Sequence, residues 1–266
     1  MKQLVYGILP ADHDSLRNPP VSSQLYLYGI FKARPDGEIG PIGIDEGMVY
    51  TISDDRVAAV VSDIRIEKIR PERRRLAAHH AVLKTVMETE TILPMVFGII
   101  ADKPEAIRRI LTSNRAEFLD QLKRVDQKQE MGLRVVWDDP NLFEFFVSQH
   151  EELEQKRDQI FRGGREPDQG EKIDLGRMFE RILADERQLQ TERVLEALRP
   201  HCFEARENKP RTEREVMNLA FLVGRDKLKD FEDGVFESAR LFDHHYAFDF
   251  SGPWPPHNFV DVSLST

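Results

Sequence analysis

The sequence has little of what covalent cross-linking, secretion or membrane insertion requires. Its 266 residues include one cysteine, Cys202, so an internal disulfide is excluded. It has no basic leader followed by an apolar segment, and no long apolar run free of charges. We therefore expect a cytoplasmic protein that neither enters the secretory route nor spans a membrane.

The familiar patterns of catalysis are also lacking. There is no Gly-rich phosphate loop, no nucleophile elbow, no paired-cysteine metal site and no HExxH helix. His244 and His245 remain as candidates for proton chemistry, but a predicted helix end beside them favours a simple interaction with the helix dipole. Cys202 follows His201, and sequence neighbours seldom form a thiol dyad. We predict a protein that is not an enzyme and has no cofactor or metal.

The acidic net charge argues against one class of partner, and the composition indicates the number of domains. The formal net charge is −9, and phosphate binding needs clustered lysine and arginine, so a nucleic-acid partner is not expected. The cluster Arg70, Arg73, Arg74 and Arg75 opens an amphipathic helix, which favours a solvated face. With 40% hydrophobic and 32% charged residues, a chain of this length favours two modest domains.

The first half, residues 1–127, is predicted to be an α+β domain. Its predicted elements are strands at Met1–Leu9, Gln24–Phe31, Gly47–Ser53, Val57–Ile64 and Ile92–Ile100, and helices at Pro71–Glu90 and Asp102–Val125. Both of the first two strands contain Tyr-Gly-Ile, and the first is either an extra edge strand or an N-terminal extension. Asp102 and Glu105 form a capping-box-like pair. His79 and His80 point about 100° apart on their helix, which favours packed or partly exposed side chains over metal ligands.

The second half, residues 128–266, is predicted to be a ferredoxin-like domain with a long helical hairpin. Its predicted elements are a strand at Gly132–Trp137, a helix capped by Asp139 and started by Pro140, a helix at Asp174–Leu198, a strand at Val216–Val223, a helix at Lys227–Asp243 and a strand at Tyr246–Phe250. Gly163, Gly164, Pro167 and Gly170 are expected to break the two long helices apart. The order β, α, α, β, α, β resembles a ferredoxin-like module, so the whole chain is predicted to be α+β.

The tail is the most distinctive stretch of the chain. The alternating Tyr246, Phe248 and Phe250 lead into GPWPPHNFV, whose prolines forbid helix and favour extended backbone. Trp254 and Phe259 are therefore held on a stiff peptide. That peptide is either a structural strap that fills the protein's own core or a docking surface for a hydrophobic partner, because aromatic residues dominate both.

Three stretches together resemble the gas vesicle protein F/L family (GvpL/GvpF). They are the tail string, ILPMVFG at Ile92–Gly98, and LYLYGI at Leu25–Ile30, which occur in the family's order and span nearly the whole chain. Two positions depart from the usual pattern: Val96 stands where an arginine is usual, and His257 where a tyrosine is more usual.

The resemblance implies an accessory or minor structural protein of gas vesicles. Its implied partners are the very hydrophobic shell subunit and other gas vesicle accessory proteins, and self-association is compatible with the helical hairpin. The candidate partner contacts are Trp254, Pro255, Pro256, Phe259 and Phe97. A small-ligand-binding or enzymatic domain on the ferredoxin-like scaffold is the alternative, since that fold hosts many functions.

Overall fold

The first sheet is built around the strand Gln24–Lys32 (β1), whose residues 25–31 are all buried. The computed structural model describes residues 24–65, 68–164, 166–262 and 264, so the predicted strand Met1–Leu9 lies outside the described residues. The remaining strands of this sheet are β2 (Glu38–Gly40), β3 (Val49–Ser53), β4 (Val57–Ile64), β5 (Ile92–Pro94) and β6 (Ile100–Ala101). The pairings are antiparallel, in the order β2-β3-β4-β1-β5, and β6 also pairs with β1. The predicted hairpin of β3 and β4 is confirmed.

Helices cover both faces of β1. Within the described residues of this half, the α-helices are α1 (Arg73–Met87), α2 (Pro104–Ser113) and α3 (Arg115–Arg124). Leu25 and Leu27 lie in the apolar cluster that includes α2 and α3, whereas Tyr26 and Tyr28 lie in the cluster that includes α1. A side chain at Gly29 would meet Ile92 at 2.7 Å, so the glycine allows β5 to approach β1 closely.

The prediction of one helix from Asp102 to Val125 is wrong, because α2 and α3 are separate helices that meet at Asn114. The Asn114 side chain donates to the Ile110 carbonyl at 2.8 Å, a local bond that competes with a continuing helix. The predicted cap is also wrong. Lys103 is the N-cap, and the Asp102 carboxylate accepts a hydrogen bond from Gln24 at 2.9 Å. Likewise, the predicted strand Ile92–Ile100 is two short strands separated by a turn.

The second sheet contains four antiparallel strands in the order β10-β7-β9-β8. They are β7 (Lys128–Trp137), β8 (Glu204–Asn208), β9 (Glu215–Gly224) and β10 (Tyr246–Trp254). The helices of this half are α4 (Leu142–Gln149), α5 (Glu151–Ile160), α6 (Gln169–Leu198) and α7 (Leu228–Ala239). The sequence prediction omitted β8, a polar edge strand.

The predicted helix after Pro140 begins later and ends sooner than expected. Asn141 is its N-cap and accepts from the Glu144 N–H at 3.3 Å, while the Asp139 carboxylate accepts from the Asn141 N–H. At His150 the backbone is extended, which divides the helix into α4 and α5. Arg181 of α6 pairs with Glu152 of α5 at 3.2 Å, so these two helices lie side by side.

Helix α6 begins at Gln169, earlier than predicted, because Asp168 and Glu171 form a capping box. Asp168 accepts from the Glu171 N–H at 2.9 Å, and the Glu171 side chain accepts from the Asp168 N–H at 3.1 Å. Gly170 therefore lies inside the helix and does not break it.

Removing this cap tests its contribution. Asp168→Ala is expected to lower the free energy of unfolding by about 1 kcal/mol, the usual cost of losing an N-cap. Urea denaturation monitored by circular dichroism would measure it. Lys172→Ala, which removes an exposed ion pair with Glu166 in the same turn, is the control and should change stability by less than about 0.5 kcal/mol. Equal effects of the two variants would contradict a capping role.

The second sheet has an apolar cluster of its own on one side and contributes residues to a cluster of the first half on the other. The cluster beneath the first sheet includes Ala220 and Leu222 of β9 and Phe259 of the tail. The predicted boundary near Asp126–Glu130 falls at a tight turn, where Gln127 has φ +53° and β7 begins. Among the helices in the described ranges, none is both long and apolar enough to cross a bilayer.

Candidate partner-binding surface

The stretch Ile92–Gly98 begins in the core and ends at the surface. Leu93 pairs with Ile30 of β1, and the Met95 N–H donates to the Tyr28 carbonyl at 2.9 Å. The chain then turns outward, so that Val96 is 74% exposed and Phe97 is half-buried. Gly98 has φ +103°, which favours glycine, and its N–H donates to the Tyr26 hydroxyl at 3.0 Å.

The tail crosses from the second sheet to the first. β10 continues through Gly252 and Pro253 to Trp254, with a register shift after Ser251. Trp254 is 38% exposed, whereas Pro255 and Pro256 are buried. Phe259 is fully buried in the cluster that contains α2 and α3.

A buried carboxylate anchors this tail. Glu130 of β7 accepts two hydrogen bonds from Asn258, from the backbone N–H at 2.7 Å and from the side-chain amide at 2.6 Å. Burial raises the pKa of Glu130, although the two bonds from Asn258 oppose that rise. Arg124 of α3 adds a bond of 3.2 Å to the Phe259 carbonyl. These contacts fix the position of Phe259 and, through it, of the segment that carries Trp254.

Helix α1 brings the two stretches together. The ring of buried His79 lies 5.7 Å from the Phe97 ring, and its Nδ1 lies 3.0 Å from the Tyr26 hydroxyl. The ring of exposed His80 lies 5.4 Å from His257 of the tail. One turn further along, the Lys84 ammonium lies 5.7 Å from the centre of the Trp254 ring. We call this surface the motif junction; it consists of His80, Lys84, Val96, Phe97, Trp254 and His257.

Two histidines, His79 and His257, are neutral near pH 7. Burial, together with the nearby His80, lowers the pKa of His79 and of His257 to about 4 in each case. Nε2 of His257 is buried and makes no hydrogen bond within the described residues. The prediction that His79 is a packed or partly exposed side chain is confirmed, as it is 1% exposed.

The five candidate contacts therefore differ in accessibility. Trp254 and Phe97 are partly exposed at the motif junction, whereas Pro255, Pro256 and Phe259 are buried. Phe259 packs in the cluster that contains α2 and α3. Their role as partner contacts stays a prediction. Sequence reasoning missed the Glu130 anchor and the contact of His80 with His257. Glu130 lies in the polar run at the start of β7, so its composition gave no signal of burial.

The remaining candidates for chemistry lie elsewhere. His201 pairs with Asp230 of α7 at 3.2 Å. The Cys202 thiol lies 3.9 Å from the Arg199 carbonyl, and burial raises its pKa, which disfavours a thiolate. His244 and His245 lie in the turn between α7 and β10.

A family model described as "Gas vesicle synthesis protein GvpL/GvpF" matches residues 24–261. This chain belongs to the GvpL/GvpF family. Gas vesicle protein F of Nostoc sp. is 27% identical over 246 residues, which cover 91% of this chain and 100% of that protein. Gas vesicle protein L1 of Halobacterium salinarum is 25% identical and covers 90% of this chain and 91% of its own length.

Solved GvpF structures share the fold of this GvpL/GvpF member. The crystal structure of GvpF from Anabaena sp. superposes with a TM-score of 0.79 at 27% identity, covering 91% of this chain and all of that one. GvpF from Microcystis aeruginosa gives 0.76 at 25% identity, over 90% and 99% of the two chains. The mixed helical and antiparallel α+β fold predicted from the sequence is thereby confirmed. Val96 and His257, singled out in the sequence analysis, both lie in the motif junction.

Proposed function

We propose that this protein is a gas vesicle accessory or minor structural protein that binds the hydrophobic shell subunit. By covering apolar segments of that subunit, it prevents aggregation and supports nucleation and assembly of the vesicle. Unassembled shell subunits would expose apolar faces and strand edges that aggregate in water. The proposed role is non-catalytic and requires no cofactor. Other accessory proteins are further proposed partners.

The motif junction is the proposed contact with the shell subunit. It presents Val96 and Trp254 to solvent and Phe97 at its edge, and Lys84 lies across the Trp254 ring. Aromatic side chains on a rigid support bind with little loss of conformational entropy, and tryptophan is enriched among residues that dominate binding energy. The anchor between Glu130 and Asn258 supplies that rigidity. Thus the tail acts as a strap through Phe259 and as a docking element through Trp254.

We also propose a division into domains 1–127 and 128–266, the second of them ferredoxin-like. The four strands of the second sheet lie in the order fourth, first, third, second, and α7 connects the third strand to the fourth. This order supports a ferredoxin-like module in which α4, α5 and α6 elaborate the first crossover. Expression of residues 128–266 alone tests the division. In that fragment Phe259 would lose its packing beneath the first sheet, so the fragment is compared with one that carries Phe259→Ser.

The surface is tested by variants that leave the buried anchors intact. Trp254→Ala combined with Val96→Ser is expected to reduce the recovery of co-expressed shell subunit in pull-downs at least about tenfold, because loss of a central tryptophan commonly costs 2 kcal/mol or more. The matched control is Phe236→Ala, since Phe236 is 62% exposed on α7, outside the motif junction. Circular dichroism would verify that each variant is folded.

Recovery equal to that of the unchanged chain, from a folded double variant, would contradict docking at the motif junction. A comparable loss with Phe236→Ala would instead point to non-specific apolar adhesion. Catalytic turnover of a metabolite by the purified chain would favour the alternative of an enzyme on this scaffold.

A further inference from the structure

The turn between α7 and β10 brings together two histidines and an aspartate. Asp243, His244 and His245 each offer one ligand atom, and these atoms lie within 4.8 Å of one another. The rings of His244 and His245 are 4.1 Å apart. Imidazole nitrogen and carboxylate oxygen form the mixed donor set that Zn²⁺ and neighbouring transition metals prefer.

A second carboxylate orients one of these histidines. Asp139, in the loop that follows β7, lies 3.3 Å from Nδ1 of His245 through its Oδ2. Metal-binding histidines commonly donate one ring N–H to a carboxylate, which fixes the tautomer and leaves the other nitrogen for the metal. The pairing with Asp139 thus leaves Nε2 of His245 as the ligand. The pair of His245 and Asp139 is thus a second observation, separate from the closeness of the three candidate ligands, that points to a metal site.

The surrounding backbone fixes the turn. The Asp138 N–H donates to the His245 carbonyl at 2.7 Å, and the His245 N–H donates to the Asp243 carboxylate at 2.9 Å. The Phe145 ring packs 4.6 Å from the His245 ring. His245 is consequently held, one oxygen of the Asp243 carboxylate is bound to the His245 N–H, and the exposed His244 side chain is free to turn toward them.

We propose that Asp243, His244 and His245 form a binding site for a divalent transition-metal ion such as Zn²⁺, with Asp139 as the positioning residue. A tetrahedral zinc ion with ligands at about 2.0–2.1 Å requires ligand atoms about 3.3 Å apart. Asp243 and His244 are exposed, so their side chains can approach to that spacing, and water completes the coordination. The bound ion would be connected to the loop after β7 through the pair of His245 and Asp139.

Isothermal titration of the untagged full-length chain with ZnCl₂ tests the site. We expect saturable binding of one ion, and Co²⁺ at the same site should give the visible absorption bands of tetrahedral cobalt. His244→Ala, a change at an exposed side chain, should weaken binding at least about tenfold. Asp139→Asn should weaken it by about 10–100-fold, the usual effect of removing a positioning carboxylate.

The matched control is His13→Ala, which removes another histidine flanked by aspartates in the sequence. It should leave zinc binding unchanged. The proposal is overturned if neither Zn²⁺ nor Co²⁺ binds, if the folded double variant His244→Ala/His245→Ala binds as tightly as the unchanged chain, or if His13→Ala abolishes binding.

Discussion

Replacing Phe259 with alanine is expected to lower the free energy of unfolding by about 3–5 kcal/mol. The side chain is fully buried beneath the first sheet, among residues of α2, α3 and β9. Its removal loses apolar burial and leaves a cavity that the rigid tail cannot collapse to fill. The Arg206 guanidinium, 5.5 Å from the ring centre, would lose its aromatic partner as well. Urea denaturation followed by circular dichroism measures the change.

Two variants serve as comparisons for Phe259→Ala. Phe259→Leu retains most of the apolar volume, so its cost should be smaller than that of alanine. Trp254→Ala alters a side chain that is 38% exposed and should also cost less. A loss below about 1 kcal/mol for Phe259→Ala, which is small for a buried phenylalanine, would rule out a strap that stabilises the first half of the chain.

Acidification from pH 7 to pH 5 is expected to destabilise the protein through His79 and His257. Each pKa is lowered to about 4 in the folded state, from 6.5 in the unfolded chain. Between these values the unfolded state binds more protons, so stability is present above pH 6.5 and is lost as the pH falls toward 4. The expected loss over this interval is about 2 kcal/mol for each histidine.

Neutral replacements isolate this contribution. Glu130 acts in the opposite direction. Its pKa is higher in the folded protein than in the unfolded chain, so its contribution to stability falls as the pH rises above the unfolded-state pKa. His80 lies beside both His79 and His257 and is present in every variant, so its effect on stability is common to all of them. His79→Gln and His257→Tyr should each reduce the stability lost between pH 7 and pH 5 by about 2 kcal/mol. An undiminished pH dependence in the double variant would show that neither histidine is responsible.

Local sequence patterns predicted the elements whose apolar residues recur regularly. Val57–Ile64 was predicted with the bounds observed for β4, because its residues are nearly all apolar and a polar turn precedes it. The edge strand β8, Glu204–Asn208, escaped prediction because four of its five residues are polar and none is buried. Pairing with β9, the strongly apolar strand that follows it in the sequence, determines its structure. Gly170 was misinterpreted because glycine disfavours a helix unless a cap such as Asp168 stabilises its first turn.

The candidate site was predicted in its parts but not in its arrangement. The tail and the stretch Ile92–Gly98 stood out by composition, yet about 160 residues separate Phe97 from Trp254 and His257. Only packing against α1 brings them to one surface, through His79 and His80. The burial of Phe259 and the exposure of Trp254 also depend on this packing, because both are aromatic residues on the same stiff peptide. Composition therefore could not assign their separate roles.

Co-expression with the gas vesicle shell subunit tests the proposed function most directly. The measurement is the fraction of shell subunit that remains in the supernatant after ultracentrifugation, with and without this chain, and the amount that co-purifies with it. We expect the chain to raise the soluble fraction severalfold and the two proteins to elute together. A shell subunit that sediments equally in both cases, and that never co-purifies with the folded chain, would contradict the proposed role.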